Sequence, residues 1–205
     1  METSLIGICG GIGSGKSVVS RILRQKGYPV YDCDSRARFL MAHDTWIKEA
    51  IRDNISENVT DGIAAPDRRL LGEIVFSDEN LRKELNRIVH GRVREDLTEA
   101  VKVWHRKGYG TVFVEAAVLA ESGLAELCQR IWIVRAGESE RIGRIMKRDG
   151  LSKSQIEARF ESQRVEEMLL REYEDKLIEI TNSEDESLLC RIEVLLAESR
   201  QESEA

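Results

Sequence analysis

The chain has 205 residues, of which 33% are charged and 41% hydrophobic, and a formal net charge of −6; that is enough chain for one large core, or for one core carrying a small appended lobe. No apolar run approaches the roughly 20 residues that span a bilayer, and the N-terminus lacks the basic-then-apolar layout of a secretory signal, so a cytoplasmic setting without a membrane is expected. The acidic balance argues against general nucleic-acid binding. Cys9, Cys33, Cys128 and Cys190 show neither a C-x-x-C pair nor metal-ligand spacing with His43, His90 or His105, which points to reduced, mostly buried thiols.

The first β-branched run, Leu5–Cys9, reads as a strand and leads into "GGIGSGKSVV". Gly10-x-x-x-x-Gly15-Lys16-Ser17 fits the phosphate-loop pattern completely, between a predicted strand and a predicted helix. Glycines let the backbone curl so that successive N–H groups point at phosphate oxygens, and the helix N-terminus adds a favourable dipole. Lys16 should reach the β- and γ-phosphates, and Ser17 should hold Mg²⁺. The helix should stop near Gly27, where glycine can close it in the left-handed conformation. No N-K-x-D, D-x-x-G or L-S-G-G-Q segment accompanies the loop, so the GTPase-switch and transporter-ATPase readings lack their companions. A small phosphotransferase remains.

The second strand is expected at Tyr28–Asp32 and ends in "VYDCD". If this segment stays extended, Asp32 and Asp34 point the same way and Cys33 the other. One carboxylate could then accept the proton of an attacking hydroxyl, while the other holds the acceptor or a Mg²⁺-bound water. The competing structural role is a helix cap, since Asp before "SRARFL" suits one. From about Phe39 to His90 the chain carries helical patches without a buried strand and reads as a helical insertion. Leu85, Val89, Val93, Leu97 and Val101 mark one apolar face of a long helix. Trp46 and Trp104 are expected to be packing residues rather than stacking platforms, and His43 and His105 to lie at the surface.

Further strands are expected at Thr111–Glu115, Arg130–Val134 and Leu177–Ile180; their alternation with helical segments predicts a parallel sheet flanked by helices. In "ERIGRIMKRDGLS", Arg141, Arg144 and Arg148 share one helical face, opposite an arc of Ile142, Ile145 and Met146 that should pack inward. Such a face is either solvated or a lid that brings guanidinium groups onto a transferring phosphoryl. The closing "AESRQESEA" lacks apolar spacing and is expected to fray.

Taken in order, these pieces resemble the dephospho-coenzyme A kinase family over nearly the whole chain. The resemblance rests on "GGIGSGKS", on Asp32, Asp34, Ala37 and Arg38, and on "DGIAAPDRRLL" with Asp61, Gly62, Arg68 and Leu71. It continues through Val75 and Phe76, "IVH" ending in His90, "VEAAVLAESG", "RIMKRDGLS" with "RFESQ", and "LIEITN" with Asn182. Arg144, Arg148 and Gln163 fall in the segment that resembles the family's lid.

The resemblance implies an α/β fold of the P-loop NTPase type, in three layers, with a five-stranded parallel sheet, a helical substrate-binding insertion and a lid. Residues 1–38, 91–140 and 166–205 would form the nucleotide-binding core, 39–90 the lobe for the coenzyme A moiety, and 141–165 the lid. It implies transfer of the ATP γ-phosphoryl to the ribose 3′-hydroxyl of dephospho-coenzyme A, with Asp34 as catalytic base and Lys16 and Arg144 stabilising the transferring group. Gly11, Ile12, Gly13, Ser14, Gly15, Lys16, Ser17, Val18, Arg148 and Asn182 would bind nucleotide, and Asp32, Arg38, Arg68 and His90 would shape the acceptor pocket. Ser17 would ligate Mg²⁺ together with water and the ATP phosphates. Cys9, Gly91 and Ala117 depart from the family's common Thr, Pro and Pro. A kinase for another small acceptor and an ATP-sensing module without turnover are the rival readings of the same loop.

Overall fold

The computed structural model describes residues 3–162, 170–183 and 187–204. The five β-branched runs form strands β1 (Ser4–Cys9), β2 (Val30–Asp32), β3 (Thr111–Glu115), β4 (Arg130–Arg135) and β5 (Leu177–Thr181), in the sheet order β2-β3-β1-β4-β5. Strand β1 pairs in parallel with β3 and β4, and β4 with β5. Parallel neighbours need crossover connections, which helices supply. The described helices are α1 (Lys16–Gln25), α2 (Cys33–His43), α3 (Thr45–Asn54), α4 (Arg68–Ser77), α5 (Glu79–Arg106), α6 (Glu138–Asp149), α7 (Lys153–Ser162) and α8 (Leu188–Glu204). None of these is long and apolar enough to cross a membrane. Gln163 lies outside the described residues.

The chain forms two units, Met1–Val30 with Tyr109–Ala205, and Tyr31–Gly108. The sequence placed divisions after residues 38 and 90; both positions lie inside helices, α2 and α5.

In the first unit, alternate residues of the strands share one buried face. Ile6 lies beside Phe113, Ile8 beside Trp132 and Val134 beside Ile180. Val19 and Leu23 of α1, with Ile192, Leu195 and Leu196 of α8, complete this cluster. Full burial of such side chains contributes about 1.5–3 kcal/mol each. On the other face Gly7 admits a close approach: a Cβ there would stand 2.5 Å from Leu119 Cδ2 and 3.2 Å from Cys128 Sγ. Burial pushes the Cys128 thiol up to about 12. Cys9 and Cys33 are likewise buried, whereas Cys190 on α8 is exposed. Helix α8 continues through Glu204, beyond the point where the polar tail was expected to fray.

In the second unit, α5 packs against α2, α3 and α4. Its buried residues are Ile88, Val89, Val93 and Leu97, which include the centre of the expected stripe. Trp46 corrects an expectation, being 54% exposed on α3 rather than packed. His43 is exposed and stacks on Phe39 with ring centroids 4.4 Å apart.

Strand β2 begins at Val30, two residues after its expected start, and ends at Asp32 as expected. It stops at Asp32 because that side chain caps α2, accepting Ser35 N–H at 2.9 Å and the Ser35 hydroxyl at 2.8 Å. Helix α2 therefore begins at Cys33, and Asp34 lies in its first turn rather than on an extended strand. The predicted alternation of Asp32 and Asp34 on one strand face is replaced by a cap at Asp32 followed by a first-turn carboxylate at Asp34; the cap therefore falls two residues before the Asp that precedes "SRARFL", where the sequence allowed one.

One carboxylate ties this corner to α5. Asp96 accepts the Tyr31 hydroxyl at 2.6 Å and a bidentate pair from Arg36, Nε at 2.9 Å and Nη2 at 2.6 Å. Burial raises the Tyr31 hydroxyl far above its ordinary range, reinforced by the hydrogen bond to Asp96. Burial also opposes ionisation of Asp96, but the bonds from Arg36 and Tyr31 outweigh it and hold the carboxyl below the usual range.

Gly91 lies inside the continuous helix α5, within the span of the Leu85–Val101 stripe; it is exposed, and a Cβ there would meet nothing within 4 Å. Gly91→Ala should therefore raise unfolding stability by about 1 kcal/mol in urea denaturation. The depressed Asp96 carboxyl stabilises the fold above the unfolded carboxyl pKa of about 3.9 and loses that contribution as pH falls through its lower folded value. In melting curves the Tm gap between the native chain and Asp96→Asn should accordingly narrow as the pH is taken from neutral to below about 3.

Candidate active site

The glycine loop leaves the carboxyl end of β1 and delivers Gly15 as the residue before α1, at φ +103° and ψ 19°. That left-handed geometry turns the chain directly into the helix, so Lys16 and Ser17 sit in its first turn. A Cβ at Gly15 would also strike Asn182 Nδ2, so any side chain here would both strain the backbone and displace the amide that bonds Ser14 O.

The loop's carbonyls are met by donors from distant parts of the chain. Asn182 Nδ2 donates to Ser14 O at 2.7 Å, and Asn182 N to Arg135 O at 2.8 Å, which fixes the end of β5 beside the loop. Arg144 Nη1 reaches Gly13 O at 3.3 Å and its Nη2 reaches Asn182 O at 3.1 Å. Arg141 donates Nε to Ile12 O at 2.9 Å, and its guanidinium lies 4.1 Å from the centre of the Phe160 ring of α7. Lys16 Nζ donates to Gly10 O at 2.6 Å and Gly11 O at 3.3 Å. A cavity of about 70 Å³ opens here, lined by Gly10, Gly11, Ser14, Ala117, Arg135 and Arg141 among others. Ser14 Oγ is buried there without a hydrogen-bond partner among the described residues.

Of the three arginines on the expected basic face, Arg141 and Arg144 meet the loop. Arg148 instead pairs with its neighbour Asp149, at 2.7 and 2.8 Å, and is exposed. On the apolar arc Ile145 is fully buried, but Met146 is 48% exposed, which corrects the expectation that it packs inward. Sequence reasoning had left Arg141 without a role of its own. The available signal was its position one turn inside α6 together with an aromatic residue in the next helix, but the contact itself spans a long sequence separation.

In the second unit, Arg38 Nη2 donates to Ser35 Oγ at 3.1 Å, and that hydroxyl donates to Asp32, so two acceptor candidates are linked through one serine. Asp34 is exposed on the first turn of α2. Arg68 opens α4 and is exposed, behind the Asp67 cap, which accepts Arg69 N at 2.9 Å and Leu70 N at 3.0 Å. His90 lies half-buried within α5. Of these candidates, Asp32 and Arg38 are brought together through Ser35, while Arg68 and His90 stand on α4 and α5.

For a divalent ion, the loop offers the exposed residue Ser17, whose hydroxyl is a hard oxygen donor. No group of three or more His, Cys, Asp or Glu side chains among the described residues could hold a metal. That donor set fits Mg²⁺, which retains water and takes phosphate oxygens in preference to a protein cage.

Residues 4–185 match the family model described as dephospho-CoA kinase. A dephospho-CoA kinase from Geobacter sulfurreducens is 34% identical over 195 residues, covering 95% of this chain and 98% of that protein. One from Porphyromonas gingivalis is 39% identical over 168 residues, covering 81% and 80%. The crystal structure of TT1252 from Thermus thermophilus superposes with a TM-score of 0.79 at 35% identity, covering 97% of this chain and 98% of that one. The parallel sheet and its glycine loop are those of the P-loop NTPase fold.

Gly15→Ala should weaken ATP binding at least about tenfold in calorimetry, because the added methyl meets both a disfavoured φ and Asn182. Asn182→Ala removes one hydrogen bond with a net worth of about 1 kcal/mol, so its loss should be nearer fivefold.

Proposed function

The chain belongs to the dephospho-coenzyme A kinase family and catalyses the ATP-dependent phosphorylation of dephospho-coenzyme A, the final step of coenzyme A biosynthesis; we propose how its residues divide that work. Gly11 to Val18 bind the ATP phosphates through backbone amides and the N-terminus of α1. Lys16 exchanges its bonds to the Gly10 and Gly11 carbonyls for β- and γ-phosphate oxygens, a swap of one set of oxygen acceptors for another. Asn182 lies near the adenine, and Arg148 turns from Asp149 to the nucleotide.

Asp34 is the catalytic base. It accepts the proton of the ribose 3′-hydroxyl as that oxygen attacks the γ-phosphorus in line, and ADP departs with the electron pair of the broken bond. Its exposure on the first turn of α2 supports this role, since a base must reach a substrate hydroxyl. Lys16 and Arg144 stabilise the charge spread over the transferring phosphoryl. Asp32, Arg38, Arg68 and His90 shape the acceptor pocket, with Asp32 and Arg38 acting as one unit through Ser35. Mg²⁺, held by the Ser17 hydroxyl together with water and the ATP phosphates, would neutralise phosphate charge when bound. Neither a nucleic acid nor a membrane takes part, and the setting is cytoplasmic.

The observation that carries this reading is the junction of β1, the glycine loop and α1, which presents Lys16 and Ser17 on the first turn of a helix whose N-terminus is open to an anion. The glycine loop leaves the carboxyl end of β1, the end at which open parallel sheets receive their ligands.

ADP release with Mg-ATP should occur with dephospho-coenzyme A and not with nucleosides, nucleoside monophosphates or shikimate. Asp34→Asn should lower kcat by about 10² or more while ATP affinity stays within twofold. Native turnover in that variant would remove Asp34 from the base role.

A further inference from the structure

The Asp32–Asp34 turn is held at both ends by one side chain. Immediately before it, Tyr31 donates its hydroxyl to Asp96 Oδ2. Two residues after it, Arg36 closes a fork onto both oxygens of the same carboxylate. Tyr31 is 4% exposed, the Asp96 side chain 21% and the Arg36 side chain 37%, so the phenol and carboxylate are shielded while the guanidinium keeps one side in water. Asp32 spends its own oxygens on Ser35, which fixes the backbone of the first helical turn. Asp34 is exposed on the first turn of that helix, so where its backbone stands follows from how the turn is held.

We propose that Asp96 is a positioning residue for phosphoryl transfer, one that sets where the Asp32–Asp34 turn points by anchoring Tyr31 and Arg36 to α5. The proposal rests on the assignment of Asp34 as catalytic base. Apolar side chains at positions 31, 36 and 96 would hold α2 against α5 about as strongly, because burying an ion pair yields little net stability over a well-packed apolar substitute. What they would lack is direction. A guanidinium fork on a carboxylate fixes two bonds in one plane, and a phenol hydroxyl on the same oxygen fixes a third. Direction matters because displacing a reacting group by about 1 Å can cost 10²-fold in rate.

The test compares Asp96→Asn, Arg36→Lys and Asp34→Asn in steady-state kinetics with Mg-ATP and dephospho-coenzyme A, with circular dichroism and Tm recorded for each. Asp96→Asn should lose at least tenfold in kcat at a temperature where it is fully folded, with the KM for ATP within twofold of native. Arg36→Lys keeps the charge but loses the fork, so it should fall between native and Asp96→Asn. A purely architectural Asp96 would lower Tm and leave kcat native; that result in folded Asp96→Asn overturns the proposal, and if that variant does not fold, native kcat in Arg36→Lys overturns it. A loss confined to the KM for ATP overturns it as well. Native kcat in Asp34→Asn strikes the base assignment itself, a failure recognisable without reference to position 96.

Discussion

A loop made largely of glycine has no side chains with which to hold its own shape. If its amides are to face a phosphate, its carbonyls turn away from it, and each of those needs a donor from elsewhere. Here the donors are Arg141 for Ile12, Arg144 and Asn182 for Gly13 and Ser14, and Lys16 for Gly10 and Gly11. The rest of the first unit can be understood as the means of bringing those donors to the loop. Strand β4 lies between β1 and β5, so the chain leaving β5 presents Asn182 at the same end of the sheet as the chain leaving β1. Helix α6 packs the buried Ile145 against the loop at Gly13, and that brings Arg141 and Arg144 to the loop carbonyls.

The second unit solves a similar problem with a carboxylate in place of guanidinium groups. Asp96 holds the entry to α2 by hydrogen bonds whose angles are constrained, and Asp44 does the same for α3, capping Ile47 N while accepting Arg92 Nε at 2.9 Å. Both pairs attach to α5, whose apolar face supplies the packing energy and whose polar positions set orientation. Cohesion and aim are thus divided between two sets of residues on one helix.

How much of this was legible in the sequence follows the range of the forces involved. The strands were readable because β-branched runs bury both faces of a parallel sheet, and their limits shifted by no more than one or two residues. The phosphate loop was readable because its requirement is local: backbone torsions and one helix start. The expected alternation of Asp32 and Asp34 failed because Asp32 serves as a cap, a role that depends on Ser35 turning back toward it. The Leu85–Val101 stripe gave α5 straight through Gly91, since an exposed glycine costs about 1 kcal/mol, too little to end a helix that packs along its length. The contacts of Arg141, Asn182 and Asp96 join residues far apart in the chain, and nothing in the local pattern around any of them names its partner.

The distribution of thiols carries a practical consequence. Cys128 is pressed against β1 beneath Gly7, and Cys9 and Cys33 are also buried, while Cys190 alone of these faces solvent, on α8. A maleimide dye offered to the folded chain therefore has one accessible address, and burial keeps the Cys128 thiolate scarce near neutral pH. The unmodified sequence already supports single-site fluorescence labelling on the helix that backs the nucleotide-binding sheet, so nucleotide titrations can be followed optically without first removing any cysteine.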